Sequence, residues 1–386
     1  MSQFNLVNST VLFPEKGTSK QKDVKVVNGT INEIGDCSNF DTRGEMIDLR
    51  GDFLSPGFVD LQVNGAAGVD FLTGEIEAIE KASRFLQAQG TTSFLGTITT
   101  QTPKTMNAAA NKLSRSKAKN LLGIHIEGPF LSNIEKGAHN PAHLLSPDRE
   151  TFEEVTKGCE EDIKYFTFAP ELEGSKDLLE WVLSIQTSPS IGHTSASYDK
   201  VKEFLSLGVK SFTHLFNCMK GFHHRKPGPV GAALNTDAYV GVIADGKHLH
   251  PATLQLIKNI KDSERVYLVT DSIATAGMDE GEYLLGDKKI SIKHGLARLE
   301  DGTIAGSTLT LIDAVKNYVK FTGASLIDAV KAVTVNPAKL LGVEDQIGTM
   351  DIGSKADLIA FDRKFQVQFT MIDGEIVYRG EGENGE

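Results

Sequence analysis

The stretch Phe58-Val-Asp-Leu-Gln-Val63 is an apolar, β-prone run, and it begins a pattern that most of the chain repeats. A helix-like segment at residues 76–89 follows it, and a second β-prone run at residues 92–98 comes next. A strand, a helix and another strand in this order form a βαβ unit, whose two strands lie parallel in one sheet.

Eight β-prone runs recur along the middle of the chain, and helix-like segments of ten or more residues separate most of them. The runs cover residues 58–63, 92–98, 121–126, 165–169, 190–192, 211–213, 239–243 and 266–269. Eight repeats of this kind predict an α/β fold, a (β/α)8 TIM-like barrel. A doubly wound open sheet is the alternative, but no Gly-x-Gly-x-x-Gly motif opens any of the helices.

Both ends of the chain are different, because they hold short β-prone runs separated by turns. Runs at residues 4–11, 24–27 and 31–34 precede the barrel, and runs at 358–361 and 370–377 follow it, the last with a turn at Asp373-Gly374. We expect both ends to form one small β-sandwich domain. The expected bounds are 1–54 and 346–386 for this domain and 55–345 for the barrel.

Composition narrows the class of protein. The chain has 40 Lys and Arg against 51 Asp and Glu, a net charge of -11, which disfavours a nucleic-acid partner. No stretch approaches the ~18 consecutive apolar residues of a membrane span. Residues 1–5 begin no secretory signal, and Cys37, Cys159 and Cys218 are isolated in sequence, which favours reduced thiols. We therefore expect a cytoplasmic protein with no membrane partner.

Polar side chains stand where several of the eight runs end. They are Gln62, Asn64, Glu127, Glu171, His193, His214 and Asp271. The carboxyl ends of barrel strands share one face, where reactive groups collect. A strand end can be polar by chance, but so many metal-binding or proton-transferring residues in one chain favour an active site.

Glu127, His193 and His214 are typical of a catalytic zinc site, in which three protein ligands leave a fourth position open for water. Zinc lowers the pKa of that water to about 7. Each histidine taken alone is more simply a core residue. Asp271 fits two roles, a general base opposite the water or an N-cap for the following turn, and the residues leave both open.

Eight blocks in a fixed order carry a resemblance to a known family. They are Ser55-Pro-Gly-Phe-Val-Asp60, His125-Ile-Glu-Gly-Pro-Phe130, Lys136-Gly-Ala-His-Asn-Pro141, Gly192-His-Thr194, Thr213-His-Leu-Phe-Asn217, Ala244-Asp-Gly-Lys-His248, Val269-Thr-Asp271 and Gly302-Thr-Ile-Ala-Gly-Ser307. Together they resemble the N-acetylglucosamine-6-phosphate deacetylase family of the amidohydrolase superfamily, and they span most of the chain.

The resemblance implies metal-dependent hydrolysis of the acetamide of N-acetylglucosamine 6-phosphate, giving glucosamine 6-phosphate and acetate in amino-sugar catabolism. In the implied mechanism a metal-bound hydroxide attacks the carbonyl carbon, His139 stabilises the oxyanion, and Asp271 acts as base and then as acid.

The resemblance also implies one divalent cation per subunit, zinc in first place, although iron, manganese or cobalt would suit the same ligands. Many amidohydrolases carry His-x-His where this chain has Gln62 and Asn64. Because neutral amides are poor ligands for such ions, we expect the second metal position to be vacant.

Substrate contacts follow from the same resemblance. Arg225 and His248 would bind the phosphate, with Arg225 reaching across the interface of a homodimer. His223, His224 and Lys226 are interpreted as a solvated charge run. The remaining expected substrate contacts are Ala138, His139, Asn217, Cys218, Ile304, Ala305 and Gly306.

Two other functions stay open. The first is another cyclic amidase or deaminase on the same barrel, although a neutral ring substrate needs neither the basic loop at 221–228 nor the block at 136–141. The second is a metal-free barrel with a structural or regulatory role. Only Gln62 and Asn64 favour it, while the intact Glu127, His193, His214 and Asp271 oppose it.

Overall fold

The computed structural model describes residues 3–36, 43–285, 288–293 and 295–380. In chain order its strands are β1 (Gln3–Phe13), β2 (Thr18–Val27), β3 (Thr30–Gly35), β4 (Glu45–Asp48), β5 (Phe53–Pro56), β6 (Phe58–Val63), β7 (Gly65–Ala66), β8 (Val69–Asp70), β9 (Thr91–Thr99), β10 (Leu121–Glu127), β11 (Ile163–Phe168), β12 (Ser188–Ile191), β13 (Ser211–Phe212), β14 (Tyr239–Val242), β15 (Val266–Leu268), β16 (Gly281–Leu285), β17 (Lys288–Lys293), β18 (Leu296–Leu299), β19 (Ile304–Ser307), β20 (Leu358–Phe361), β21 (Val367–Ile372) and β22 (Glu375–Arg379). The α-helices are α1 (Ile76–Ala88), α2 (Pro103–Ser114), α3 (Arg149–Thr156), α4 (Ser175–Ser184), α5 (Tyr198–Ser206), α6 (Gly228–Leu234), α7 (Pro251–Ile260), α8 (Leu311–Thr322), α9 (Leu326–Lys331) and α10 (Val335–Leu341).

Eight parallel strands form a nearly closed barrel in the order β6, β9, β10, β11, β12, β13, β14, β15. All eight predicted runs are therefore confirmed as strands, with ends shifted by no more than two residues. Each strand is followed by one of the helices α1–α8, which confirms the (β/α)8 barrel. The strands are buried on both faces, which is why their sequences are continuous apolar runs rather than alternating ones.

The helices cover the barrel with one apolar face each. In α1, the side chains of Ile79, Ala82 and Leu86 are buried, a spacing of three and four residues that places them on one side of the helix. Thr102 caps α2 by accepting a hydrogen bond from the backbone N–H of Thr105 at 3.3 Å, and Pro103 occupies the first helical position.

The barrel closes between β6 and β15 through a seam that lies at the expected active site. At the carboxyl end, the Asp271 N–H donates to the Gln62 carbonyl oxygen at 3.0 Å, and the Asn64 N–H donates to the Ser272 carbonyl oxygen at 2.8 Å. At the other end the segment 332–333 lies between the two strands, because its carbonyl oxygens accept from Val59 and Leu268 at 2.7 and 2.8 Å. The seam therefore brings residues 62–64 beside residues 271–272.

Both chain ends build a second sheet in the order β22, β21, β20, β5, β1, β2, β3, with β4 also paired to β1. This confirms the predicted β domain from both termini. The predicted turn at Asp373-Gly374 joins β21 to β22 with φ angles of 49° and 71°, as a two-residue hairpin turn requires. The bounds 1–54, 55–345 and 346–386 stay a prediction.

A four-stranded antiparallel sheet, β16–β19, lies between β15 and α8 and was not predicted. Its small core joins Ile290 and Ala297 to Ile273, just after the last barrel strand. Among the helices of the described ranges, none has the length and apolar character to cross a membrane.

Candidate metal centre and active site

Three of the predicted site residues adopt the left-handed backbone conformation just beyond their strands. The φ angles are 45° at His193, 30° at His214 and 47° at Asp271. For residues other than glycine this conformation costs about 1–3 kcal/mol and is concentrated at functional sites. The sharp turn ends each strand, so that the side chain is presented at the carboxyl end of the barrel.

Glu127, His193 and His214 converge on one point. Glu127 Oε1 lies 3.3 Å from His193 Nε2 and 3.2 Å from His214 Nε2. The two Nε2 atoms are 3.1 Å apart. All three residues are buried, and the imidazole rings of His193 and His214 pack edge to face.

The spacing fits a divalent cation. Ligand atoms around a tetrahedral ion with bonds of about 2.0–2.1 Å lie about 3.3 Å from one another, which matches the three distances found. His193 Nδ1 lies 3.1 Å from the Glu135 carbonyl oxygen, so that nitrogen carries the proton and leaves the Nε2 lone pair facing Glu127. A shared cation would stabilise the two imidazole nitrogens and the carboxylate oxygen at these short distances.

His139 belongs to the same cluster. Its Nε2 lies 3.9 Å from Glu127 Oε2, and its ring packs edge to face on His193 at 4.6 Å between centroids. Ligand atoms of Glu127, His139 and His193 all lie within 4.8 Å of one another. His139 is therefore close enough to donate a hydrogen bond to a ligand that binds beside the Glu127 carboxylate.

Gln62 and Asn64 are hydrogen-bond donors to the carboxylates of the site. Gln62 Nε2 donates to Glu127 Oε1 at 3.0 Å, and Asn64 Nδ2 donates to Asp271 Oδ1 at 2.7 Å. Both side chains are buried. Amide nitrogens thus face the acids where His-x-His would place metal-binding nitrogens.

Burial and neighbouring groups shift the pKa values of Glu127 and Asp271 in opposite directions. Burial opposes ionisation of Glu127, but the neighbouring imidazoles of His193 and His214 hold its pKa well below the usual range. Burial, reinforced by the negative charge of Glu127, raises the pKa of Asp271 to about 6. An acid poised near neutrality suits a group that must accept a proton and return it.

Asp60 was not predicted as a site residue, although it lies in the block that begins at Ser55. It is fully buried below the seam, and burial raises its pKa to about 7. Its carboxylate accepts from the Thr270 hydroxyl at 2.7 Å and from the Gln62 N–H at 3.2 Å. It therefore ties β6 to the residue before Asp271.

His248 forms a buried pair with Asp245, a second residue whose role was not predicted. His248 Nδ1 donates to Asp245 Oδ2 at 2.6 Å, and the other oxygen, Oδ1, accepts from the backbone N–H of His248 at 2.8 Å. Burial opposes ionisation of Asp245, but the bond from His248 lowers the pKa of this carboxyl. The pair fixes the imidazole orientation and occupies Nδ1, so that Nε2 is the ring nitrogen left to contact a ligand.

Arg225 lies in an exposed loop, as do the neighbouring His223, His224 and Lys226. Its guanidinium bonds to His224 Nε2 at 2.6 Å, inside the loop itself. A phosphate contact across a dimer interface stays a prediction.

The other predicted substrate contacts lie on loops around the mouth. Asn217 Nδ2 donates to the His214 carbonyl oxygen at 3.2 Å, and Cys218 has a left-handed φ of 49°. A Cβ on Gly137, next to Ala138, would lie 2.5 Å from Cys218 Sγ, so these two loops touch closely.

The strand that carries Ile304, Ala305 and Gly306 pairs with the segment after Asp271. The Ser307 N–H donates to the Asp271 carbonyl oxygen at 2.9 Å. A Cβ on Gly306 would lie 2.5 Å from Ile273 Cγ2, so the absent side chain allows this close approach. Contacts of these residues with a substrate stay a prediction.

The model of the amidohydrolase family matches residues 53–377. The chain belongs to the amidohydrolase family. It is 37% identical over 354 residues to the N-acetylglucosamine-6-phosphate deacetylase of Caenorhabditis elegans, which covers 86% of this chain and 84% of that protein. The family predicted from the eight sequence blocks is thereby confirmed.

Solved structures agree with this assignment. The N-acetylglucosamine-6-phosphate deacetylase of Pasteurella multocida superposes with a TM-score of 0.92 at 29% identity, covering 98% of this chain and 100% of that one. A mutant of the Mycobacterium smegmatis enzyme in complex with N-acetyl-D-glucosamine-6-phosphate gives 0.91 at 29% identity, with the same coverage. This amidohydrolase is an enzyme of the hydrolase class, and its family implies a divalent metal.

Proposed function

We propose that this amidohydrolase hydrolyses the acetamide of N-acetylglucosamine 6-phosphate to glucosamine 6-phosphate and acetate. The observation that carries the proposal is the convergence of Glu127 Oε1, His193 Nε2 and His214 Nε2 at 3.1–3.3 Å beside Asp271. The relatives that act on this phosphorylated sugar support the choice of substrate.

Glu127, His193 and His214 would hold one divalent cation, most suitably zinc. When bound, the cation polarises the acetamide carbonyl and lowers the pKa of a coordinated water. Gln62 and Asn64 would not hold a second ion, because their amide nitrogens already face Glu127 and Asp271 as donors.

Asp271 would move the proton. Its carboxylate accepts a proton from the attacking water and returns it to the amine as the carbon–nitrogen bond breaks, so that acetate and a free amine leave the site. Asn64 holds the acid in place at Oδ1. His139 would donate a hydrogen bond to the carbonyl oxygen as negative charge develops there.

His248 and Arg225 would bind the phosphate of the sugar, and the backbone around Ala138, Asn217, Cys218 and 304–306 would line the sugar site. Asp245 supports the phosphate role of His248, because it holds Nδ1 and leaves Nε2 as the nitrogen that would contact the phosphate. Arg225 would come from the partner subunit of a homodimer, since in its own chain it lies in an exposed loop.

The direct test measures free amine released from N-acetylglucosamine 6-phosphate, with and without a chelator. We expect turnover that chelation abolishes and zinc restores, and much less turnover of the unphosphorylated sugar. Bound zinc without turnover of either sugar would favour another cyclic amidase or deaminase. Absence of both zinc and turnover would favour a non-catalytic barrel.

A further inference from the structure

Glu171 lies three residues beyond β11, and the proposed reaction gives it no role. Its carboxylate nevertheless receives three hydrogen bonds from the loop that follows β12. The Thr194 hydroxyl donates to Oε2 at 2.5 Å. The backbone N–H and the hydroxyl of Ser195 both donate to Oε1, at 2.6 and 3.0 Å. One side chain thus holds the two residues that follow His193.

The same loop is tied onward to the loop after β13. The Thr194 N–H donates to the Cys218 carbonyl oxygen at 3.1 Å, and the Lys220 N–H donates to the Thr194 carbonyl oxygen at 3.0 Å. By holding Thr194, Glu171 therefore also restrains the backbone at Cys218, one of the expected sugar contacts.

His193 needs such an anchor because its backbone is in a costly conformation. Its φ of 45° lies in the left-handed region, and this region persists only where the surroundings enforce it. The Ser132 N–H holds the His193 carbonyl oxygen at 2.9 Å on one side. Glu171 holds the following residues on the other side.

We propose that Glu171 is a positioning residue that fixes His193 Nε2 for the cation and the backbone at 218 for the sugar. Only the part of this inference that concerns the sugar rests on the proposed function. Release of residues 194–195 would let the peptide at His193 relax out of the left-handed region, which would move Nε2 away from Glu127 and His214.

Substitutions at Glu171 distinguish the effect of losing its hydrogen bonds from the effect of losing one negative charge. Glu171→Ala removes all three bonds. In Glu171→Gln the amide oxygen still accepts from Ser195, and the amide nitrogen faces the Thr194 oxygen. Glu173→Ala is the matched control, since Glu173 is exposed in the same loop and carries the same charge.

The experiment measures zinc affinity of each variant by competition with a chromophoric chelator, together with KM and kcat. We expect Glu171→Ala to bind zinc about 10–100-fold more weakly, as loss of a partner that orients a ligand does, and to raise KM. Glu171→Gln should retain affinity within a few fold of the wild type, and Glu173→Ala should match it. Wild-type zinc affinity in Glu171→Ala would overturn the proposal.

A second variant guards against misfolding of Glu171→Ala. Thr194→Val removes one hydroxyl with little change of shape, and we expect a smaller but measurable loss of zinc affinity. Unchanged affinity in this variant would also overturn the proposal. Zinc affinity is measured without substrate, so an inactive wild type that still showed this pattern would count against the deacetylase function alone.

Discussion

Asn64 Nδ2 donates a hydrogen bond to Asp271 Oδ1 across 2.7 Å, and this bond joins two residues on opposite sides of the barrel seam. Gln62 makes the equivalent bond to Glu127 at 3.0 Å. Both acids of the site therefore have a neutral donor beside them. In the proposed mechanism this arrangement leaves one cation position, at Glu127, His193 and His214, with Asp271 as the base next to it.

Replacement of Asp271 by Asn tests the proton transfer. Asp271→Asn keeps the size of the side chain but removes the group that accepts and returns the proton, so we expect kcat to fall by about 10²–10⁴-fold. Zinc content should remain one ion per chain, since Asp271 is not among the expected ligands. Steady-state kinetics and metal analysis of the same sample check both points, and a nearly normal kcat would remove Asp271 from the mechanism.

The pH dependence follows from the surroundings of Asp271. This carboxyl accepts a proton only when ionised, so activity should fall as the pH drops below its pKa. Burial raises that pKa to about 6 in the protein alone, and the positive charge of a bound cation would lower it. Asn64→Asp adds a negative charge beside Oδ1 and should move the acid limb of kcat/KM upward by about one pH unit or more.

Asn64→Ala is the control for this shift, because it removes the hydrogen bond without adding a charge. We expect a smaller upward shift of the acid limb, since the bond from Asn64 lowers the pKa of Asp271. If the acid limb of kcat/KM lies at the same pH in the wild type, Asn64→Asp and Asn64→Ala, a group other than Asp271 sets it.

The buried pair of Asp245 and His248 gives a prediction about the phosphate. Asp245→Asn keeps the shape but removes the charge that holds His248 Nδ1, so we expect KM for the phosphorylated sugar to rise by about tenfold or more with a smaller change in kcat. Turnover of unphosphorylated N-acetylglucosamine should change little, and an equal effect on both sugars would contradict the phosphate role.

Arg225 is expected to bind phosphate from the partner subunit. Arg225→Ala should raise KM by about tenfold or more, whereas Lys226→Ala, the neighbouring exposed cation, should change KM little. Mixing Arg225→Ala chains with Asp271→Asn chains discriminates between subunits. If Arg225 acts across the interface, the mixture should recover activity at low substrate concentration that neither parent has. Failure to recover activity at low substrate concentration in a demonstrated hybrid dimer would place Arg225 in its own subunit's site or outside both.

Much of the barrel could be predicted because its strands are buried on both faces. Each strand is therefore a continuous apolar run, such as 58–63, and helices lie between these runs in the sequence. The polar residues at the ends of these runs then indicate the site, since parallel strands end together. The sheet β16–β19 was not predicted, because its strands are only four to six residues long and the alternation of Ile290 and Ile292 with polar residues is too short to distinguish a strand from a loop.

Other features depend on contacts that no local pattern reports. Asn64 and Asp271 are 207 residues apart, and their bond exists only because the seam closes there. The left-handed backbone of His193 likewise lies between contacts from two other loops, because Ser132 bonds its carbonyl oxygen and Glu171 bonds the following Thr194. The pairing of Asp245 with His248 is local and lies within a block that the sequence displays, so its three-residue spacing is a signal that could have been used.

An anomalous-difference map of crystals grown with zinc tests the central claim most directly. We predict one strong peak per chain, about 2.0–2.2 Å from Glu127 Oε1, His193 Nε2 and His214 Nε2, with no second peak between Gln62 and Asn64. A peak held by His139 in place of His214, or no peak at this end of the barrel in protein that retains activity, would contradict the account.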